Sequence, residues 1–223
     1  MKVPDHPPIR RKTPTMMFAL AHVMPSSALQ MGSAASTSTR GAVHMTQPWL
    51  TRRSVAKYDA EKAIPEAAIT GALEAAMLAP NHFLNEPWRF YQAGPETIAK
   101  LCALNEEKAA MFKGIPGWMI VTIAASEYGE DGSISTKKGL EDHAATACAI
   151  QNFMISLADG GVGSKWMTGA LGVAPEAVMG VVGADTEAER FMGAIWYGYP
   201  AKDLAEAKAP KRKLGMEMHT KLA

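Results

Sequence analysis

Two adjacent arginines and a serine, Arg52, Arg53 and Ser54, are the residues whose types and spacing most directly suggest chemistry. A guanidinium presents a planar fork of donors that matches phosphate oxygens, and a serine hydroxyl adds a compact donor. The same three residues would also suit a solvated turn. A basic cluster at residues 211–213 is either a solvated chain end or a second side of the same phosphate site.

Two further segments have the composition of a ligand-binding loop. Residues 79–90 connect a predicted helix end to a predicted strand and contain one histidine, His82, which is either a pocket residue or an ordinary surface histidine. The glycine-rich residues 160–172 would let the backbone approach a planar or anionic ligand, or would form a flexible connection. Their spacing does not match the dinucleotide-binding glycine motif.

Composition and missing motifs exclude several classes of protein. The net charge of +1 argues against a nucleic-acid binder that depends on phosphate contacts. The six histidines and two cysteines form no metal-ligand spacing, and the sequence has no Walker loop or GxSxG motif. The body has no apolar segment long enough to cross a membrane. If the protein is an enzyme, a cofactor is expected to carry the chemistry.

Residues 1–45 differ from the body of the chain. They contain five basic residues and one acidic residue and are rich in Ser, Thr, Ala, Met and Pro. This composition is typical of a transit peptide for a mitochondrion or plastid, with a secretory signal as the rival. A disordered tail, or translation from upstream of a start at Met16, Met17 or Met45, would give the same composition, and the protein would then be cytoplasmic. The sequence therefore predicts a leader over 1–45 and one domain over 46–223.

Hydrophobic periodicity in the body predicts helices around a few strands that are far apart in sequence. A strand is expected to start at Trp88, a core residue. The other predicted strands cover 118–126 and 191–200, and the predicted helices cover 64–80, 95–110, 137–161 and 175–182. This pattern predicts an α+β domain with helices around a small sheet. Ile69, Leu73 and Met77 are expected to face the core, as are Cys102 and Cys148, although a disulfide between the cysteines is also possible.

Four motifs in order along residues 47–213 resemble the nitroreductase family of FMN-dependent NAD(P)H oxidoreductases, and its small compact members especially. RRSVAKYD is similar to the family's opening motif, and the helix leading through the AP loop to EPWRF is similar to its first helix and strand. GGVGSKWMTGAL is similar to the flavin-facing segment of the compact members. AIWYGYP followed by PKRK is similar to the closing strand and basic tail.

The resemblance implies a fold, a cofactor and a reaction. The fold is α+β, with helices around a small, mainly antiparallel sheet, in a homodimer that binds FMN at its interface. NAD(P)H would pass hydride to FMN, which would reduce nitroaromatic or quinone-type acceptors by a ping-pong mechanism. No catalytic residue is assigned. The implied cofactor-binding residues are Arg52, Arg53, Ser54, Leu78, His82, Trp166, Met167, Thr168, Gly169, and Lys211 or Arg212.

Three positions depart from the family pattern. Glu86 replaces the glutamine before Pro-Trp, Leu84 replaces a common asparagine, and Ala56 replaces a common arginine. An anion near a flavin would disfavour the anionic reduced form. The altered segment therefore motivates an alternative, a flavin-binding or redox-sensing protein with little turnover.

Overall fold

A computed structural model of the protein describes residues 47–124, 127–129, 133–169, 171–204, 210–213, 215 and 218–222. The predicted leader, residues 1–45, lies outside the described residues. Its targeting role and the predicted domain boundary at residue 46 therefore stay predictions.

Six helices and four strands are formed within the described residues. The helices are α1 (Pro48–Thr51), α2 (Glu66–Met77), α3 (Pro95–Ala103), α4 (Ala109–Lys113), α5 (Lys137–Asp159) and α6 (Pro175–Val182). The strands are β1 (Trp88–Ala93), β2 (Gly117–Ala124), β3 (Gly163–Met167) and β4 (Glu189–Gly198). Short 3-10 helices cover His82–Leu84 and Glu106–Lys108.

The four strands form one antiparallel sheet in the order β1-β2-β4-β3. β2 and β4 are central, and seven of the eight residues of β2 are buried. Side chains alternate across a strand, so a strand buried on both faces must be covered by helices on both sides. The predicted α+β class, with helices around a small antiparallel sheet, is confirmed.

Two hydrophobic clusters lie on the two faces of the sheet. Met119 and Val121 of β2 pack in a cluster with buried residues of α2 and α5. Trp118 and Ile120 point the other way and pack with buried residues of α3, α4 and α6. The sheet is therefore sandwiched, with the long helix α5 on one face and three short helices on the other.

Two helix predictions need correction. Met77 was predicted to face the core, but it is 60% exposed, and α2 instead buries Ile69, Ala72 and Ala76. Alanines at these positions allow α2 to lie close to α5. The single helix predicted over 95–110 is divided after Ala103, because the Asn105 side chain accepts a hydrogen bond from the Lys108 amide and starts a separate turn.

The predicted burial of both cysteines is wrong for one of them. Cys102 is buried and Cys148 is exposed, and both are free thiols, so the alternative of a disulfide is also wrong. Cys148 lies on α5 between the buried residues Ala145 and Ala149 but on a different side of the helix. The predicted end of this helix is correct, since Gly160 caps it and Gly161 follows with φ of 75°.

Candidate functional site

Arginines dominate a cavity of about 660 Å³, here called the cationic cavity. Its lining includes Arg52, Arg53 and Ser54 from the segment after α1, and Arg212 from near the C-terminus. Lys57 and Lys202 also line it. No Asp or Glu among the described residues lines this cavity, so its positive charges have no local counter-ion from that part of the chain.

Backbone pairing fixes the segment that carries the arginines. α1 ends at Thr51, and the Arg52 amide donates to the Pro48 carbonyl at 2.7 Å. The Val55 amide then donates to the Ser164 carbonyl of β3 at 3.1 Å, and the Ala201 amide donates to the Lys57 carbonyl at 3.1 Å. The segment is thereby held between β3 and the chain that leaves β4. These contacts turn an Arg-Arg-Ser sequence into one wall of a cavity.

The positive charges in the cavity repel one another. Burial lowers the pKa of the Arg52 guanidinium, and the nearby positive charges of Arg53 and Arg212 lower it further. Crowded cations that are partly removed from water are stabilised when an anion enters between them. The cavity has the charge and the donor type that suit a phosphate group, and its volume leaves room for more of a ligand than the phosphate alone.

The two adjacent arginines have different roles. The Arg53 Nη1 donates to the Leu50 carbonyl at 2.6 Å and to the Arg52 carbonyl at 2.9 Å, so part of this guanidinium holds the end of α1. Its Nε is buried without a hydrogen-bond partner. A buried donor without a partner is costly, so the position of this guanidinium is maintained at the expense of one unsatisfied donor. The Arg52 guanidinium is therefore the freer of the two to bind a ligand, whereas Arg53 has a structural role.

His82 lies in a strained loop of residues 82–86. Phe83, Leu84 and Glu86 have φ of 48°, 55° and 45°, in the left-handed region that non-glycine residues rarely adopt. Such residues cost about 1–3 kcal/mol each and persist only where surrounding contacts enforce them. Phe83 is 91% exposed and Leu84 79% exposed, so packing of these two side chains on their own chain does not supply that enforcement.

Polar contacts attach the loop to the long helix α5. The Asn85 Nδ2 donates to Asp142 Oδ1 at 2.8 Å, and His82 Nδ1 lies 3.5 Å from Glu141 Oε2. Within the loop, the Glu86 amide donates to Asn81 Oδ1 at 3.0 Å. A second cavity of about 450 Å³ lies between the loop and α5, and it is lined by His82, Phe83, Asn85, Glu127, Lys137, Lys138, Glu141 and Asp142.

The glycine-rich segment forms an edge strand rather than the loop that its composition suggested. β3 pairs with β4, and the Trp166 Nε1 donates across the pair to the Met192 carbonyl at 3.1 Å. Gly193, with φ of 154°, makes room for this indole, because a Cβ there would lie 2.1 Å from Trp166 Nε1. Met167 is buried, whereas Thr168 and Gly169 are exposed just after the strand.

The structure brings together some of the predicted cofactor residues and separates others. Arg52, Arg53, Ser54 and Arg212 share the cationic cavity, and Lys211 does not line it. His82 lines the second cavity. Leu78 is 82% exposed and lines a groove beside Trp49 and α5. One chain by itself therefore distributes the predicted residues over separate surfaces.

Several residues of the site have only weak signals in the sequence. Lys57 and Lys202 join the cationic cavity through tertiary structure. Ser164 is 1% exposed, and its hydroxyl has no hydrogen-bond partner although it pairs with Ser54 through the backbone. Asp142 has one local signal, Lys138 four residues earlier on the same helix face.

A family model described as the nitroreductase family matches residues 50–110. A protein of Bacillus subtilis (strain 168), provisionally named NAD(P)H nitroreductase YfhC, is 32% identical over 167 residues, covering 67% of this chain and 81% of the relative. The chain belongs to the nitroreductase family. The family predicted from the four sequence motifs is confirmed.

Solved structures show the same fold at lower identity. A nitroreductase-like family protein from Bacillus cereus has a TM-score of 0.64 at 21% identity, over 88% of this chain and 99% of that chain. A provisionally named nitroreductase from Desulfovibrio desulfuricans in complex with FMN has a TM-score of 0.63 at 22% identity, over 79% and 95% of the two chains. A similar FMN complex from Exiguobacterium sibiricum 255-15 has a TM-score of 0.64 at 14% identity, over 79% and 95%.

Two other kinds of site were sought in the part of the chain that the structure describes. That part contains no group of three or more His, Cys, Asp or Glu side chains placed to hold a metal ion. Nor does any helix described there have the length and apolar character needed to cross a membrane.

Proposed function

We propose that this nitroreductase-family protein is an FMN-dependent oxidoreductase that takes hydride from NAD(P)H and passes it to nitroaromatic or quinone-type acceptors in a ping-pong cycle. The Bacillus subtilis relative carries NAD(P)H nitroreductase in its name, and two proteins of the same fold are solved as FMN complexes. The observation that carries the proposal is the cationic cavity, where three arginines meet without a described carboxylate.

The residues of the cationic cavity fit the phosphate end of FMN. Arg52 and Arg212 would bind the phosphate oxygens, Arg53 would add positive charge, and Ser54 would contact the phosphate or ribityl chain. Each charge-assisted hydrogen bond of this kind is worth about 1.5–3 kcal/mol. Bound FMN would supply the hydride chemistry that side chains do not provide.

The flavin ring would lie along the end of β3 and the two residues after it. The Trp166 indole is fixed by its bond to the Met192 carbonyl, while the exposed Thr168 and Gly169 leave backbone donors accessible at the end of the strand. A rigid strand end places such donors at fixed positions beside a planar ligand. The protein would thus bind and orient the cofactor and leave a slot open for the nicotinamide and the acceptor.

A homodimer with FMN at its interface would bring the separated residues together. Several large apolar side chains are exposed near α1, the end of α2 and the following loop. They are Trp49 (59% exposed), Met77 (60%), Leu78 (82%), Phe83 and Leu84. Large apolar side chains exposed in this number suit an interface. The partner's copy of the 82–86 loop and of Leu78 would then cover the flavin that the cationic cavity of the first subunit holds.

The visible absorption spectrum of the purified protein is the first test, followed by chromatography of the acid-released chromophore. A flavin spectrum and released FMN are expected. Protein that is colourless and does not bind added FMN would refute the proposal. It would also mean that the arginines are ordinary surface charge.

Turnover separates the enzyme from the alternative of a low-turnover flavin protein. FMN-loaded protein is expected to oxidise NADH or NADPH steadily when a quinone such as menadione is present. Glu86 motivates the alternative, because its carboxylate replaces the family's glutamine in the strained loop. A rate near background in fully loaded protein would favour flavin storage or redox sensing over catalysis.

A further inference from the structure

The Asp142 carboxylate is buried in a way that no other described carboxylate is. It is 2% exposed, and it is the only Asp or Glu among the buried side chains of the described residues. Burial of a carboxylate is costly unless both oxygens have partners. Here Oδ1 accepts a hydrogen bond from Asn85 Nδ2 at 2.8 Å, and Oδ2 pairs with Lys138 Nζ.

The Asn85 contact links the longest described helix to the loop that contains the non-glycine residues with positive φ among the described residues. Asp142 lies on α5, a helix of 23 residues that packs against the sheet. Asn85 lies in the 82–86 loop, between two residues with left-handed backbone conformations, Leu84 and Glu86. Because strain of this kind persists only under external restraint, the Asn85–Asp142 bond is in the position to supply it.

The other contact between the loop and α5 is weaker. The His82–Glu141 pair is 3.5 Å apart, and its side chains are 51% and 32% exposed. Exposed ion pairs of this kind contribute little, and water competes for both partners. Phe83 and Leu84 are exposed, and the one ring contact of Phe83 among the described residues is to the neighbouring His82 within the same loop. Of the two side-chain contacts between the loop and α5, the bond to Asp142 is therefore the stronger one.

We propose that Asp142 is a positioning residue that acts through Asn85 to fix the 82–86 loop, and thereby sets the shape of the acceptor slot, which Phe83 and Leu84 would border in the proposed dimer. This inference rests on the proposed function for the acceptor slot. It concerns acceptor binding, and the phosphate end of FMN should not be affected, because the cationic cavity is lined by other segments.

Exchange of the amide and the carboxylate between positions 85 and 142 tests whether the bond positions the loop. It separates that role from a general loss of stability caused by a substitution. Asn85→Asp places two carboxylates against each other, and Asp142→Asn removes the charge that Lys138 pairs with. The double variant Asn85→Asp, Asp142→Asn keeps one amide and one carboxylate, with donor and acceptor exchanged. Asn85→Ala is the milder single variant, and Asp185→Asn, at an exposed position outside the loop, is the matched control.

In the FMN-loaded full chain, each variant would be assayed with menadione at saturating NAD(P)H. Asn85→Asp and Asn85→Ala are expected to raise the KM for menadione about tenfold, the lower end of the effect of one hydrogen bond to a charged group. The kcat is expected to stay within about twofold, and the double variant should recover to within about threefold of the parent. The ratio of FMN to riboflavin affinity should not change in any of them.

Hydrogen exchange of the amides of residues 82–86 gives a readout that needs no flavin. Exchange is expected to be faster in Asn85→Ala and Asn85→Asp, and to return toward the parent rate in the double variant. If the parent protein does not bind FMN but the variants still show this exchange pattern, the proposed function is refuted and the positioning role of Asp142 is not. Single variants with parental exchange and parental KM, or a double variant no better than Asn85→Asp, would overturn the positioning role of Asp142.

Discussion

Replacement of Arg52 by alanine is the most direct perturbation of the cationic cavity. The Arg52 side chain lies beside Arg53 and Arg212, and both neighbours lower its pKa, after the larger effect of burial. The Arg52 backbone amide bonds to the Pro48 carbonyl and would keep that bond in an alanine variant. The substitution therefore removes one cation from the cavity without removing a contact that holds the segment.

The effects on binding and on stability should have different sizes. Loss of one charge-assisted hydrogen bond to phosphate costs about 1.5–3 kcal/mol, which corresponds to about 10- to 150-fold weaker FMN binding. The free energy of unfolding of the apoprotein should change by no more than about 0.5 kcal/mol, since the substitution also relieves repulsion among like charges. Arg53→Ala is a less clean test, because its Nη1 also bonds to two backbone carbonyls.

The assay is titration of the apoprotein with FMN and with riboflavin, which has the same ring but no phosphate. Flavin fluorescence gives both dissociation constants, and urea unfolding of the apoprotein gives its stability. Arg52→Ala should weaken FMN binding and leave riboflavin binding within about twofold. Arg190→Ala is the matched control, because it removes the same side chain from an exposed site that does not line the cavity.

Two results would refute the reasoning. Equal weakening of FMN and riboflavin would mean that Arg52 supports the flavin ring or the local fold and not the phosphate. Unchanged affinity for both flavins in Arg52→Ala, with the parent binding FMN, would place the phosphate outside the cationic cavity.

Three other tests, two of them with a control substitution, concern the fold and the proposed dimer. Gly193→Ala would place a Cβ 2.1 Å from Trp166 Nε1 and should lower the free energy of unfolding by about 1–3 kcal/mol. Gly71→Ala in α2, where a Cβ would meet no atom within 4 Å, should raise it by up to about 1 kcal/mol. Urea denaturation measures both changes, and equal effects of the two substitutions would contradict the close contact at Gly193. Burial, with a smaller effect of Glu66, raises the pKa of Tyr197 to about 12, so its contribution to stability is complete below about pH 10 and is lost between about pH 10 and 12. Tyr197→Phe should remove up to about 1.4 kcal/mol per pH unit from the alkaline fall of the free energy of unfolding between about pH 10 and 12, and an unchanged slope in urea unfolding over that range would contradict this. Leu78→Glu should weaken self-association at least about tenfold in analytical ultracentrifugation, since one charge buried in an apolar interface is costly, and Met111→Glu on α4 is the exposed control that should not.

Local patterns in the sequence were sufficient to predict four of the elements and the family. β2, β4, α5 and α6 lie within two residues of their predicted limits wherever the structure describes both ends. Their signals are local, namely β-branched apolar runs and helix caps such as Gly160. The order of the Arg-Arg-Ser, Glu-Pro-Trp, glycine-rich and Gly-Tyr-Pro motifs was enough to identify the nitroreductase family, which the Bacillus subtilis relative confirms.

The errors arose where burial depends on what a residue meets across space. Met77 fits the apolar period of α2, yet it is exposed, because alanines at 72 and 76 make the contact with α5. Cys148 has apolar neighbours in sequence, but its side of α5 is not the side that packs on the sheet. A helical period in the sequence shows that apolar side chains recur on one face of a helix. Which face is buried depends on the neighbouring helix, which the sequence period does not reveal.

The chemistry of the site divides in the same way. Sequence by itself predicted that Arg52, Arg53 and Ser54 could bind a phosphate, because donor geometry belongs to the residue type, and it left a solvated turn as the alternative. Tertiary structure decided that Arg212, some 160 residues away, shares their cavity, that Arg53 is partly occupied by backbone carbonyls, and that Asp142 reaches the strained loop. Charges, strain and hydrogen bonds between distant segments depend on distances that the folded chain alone sets.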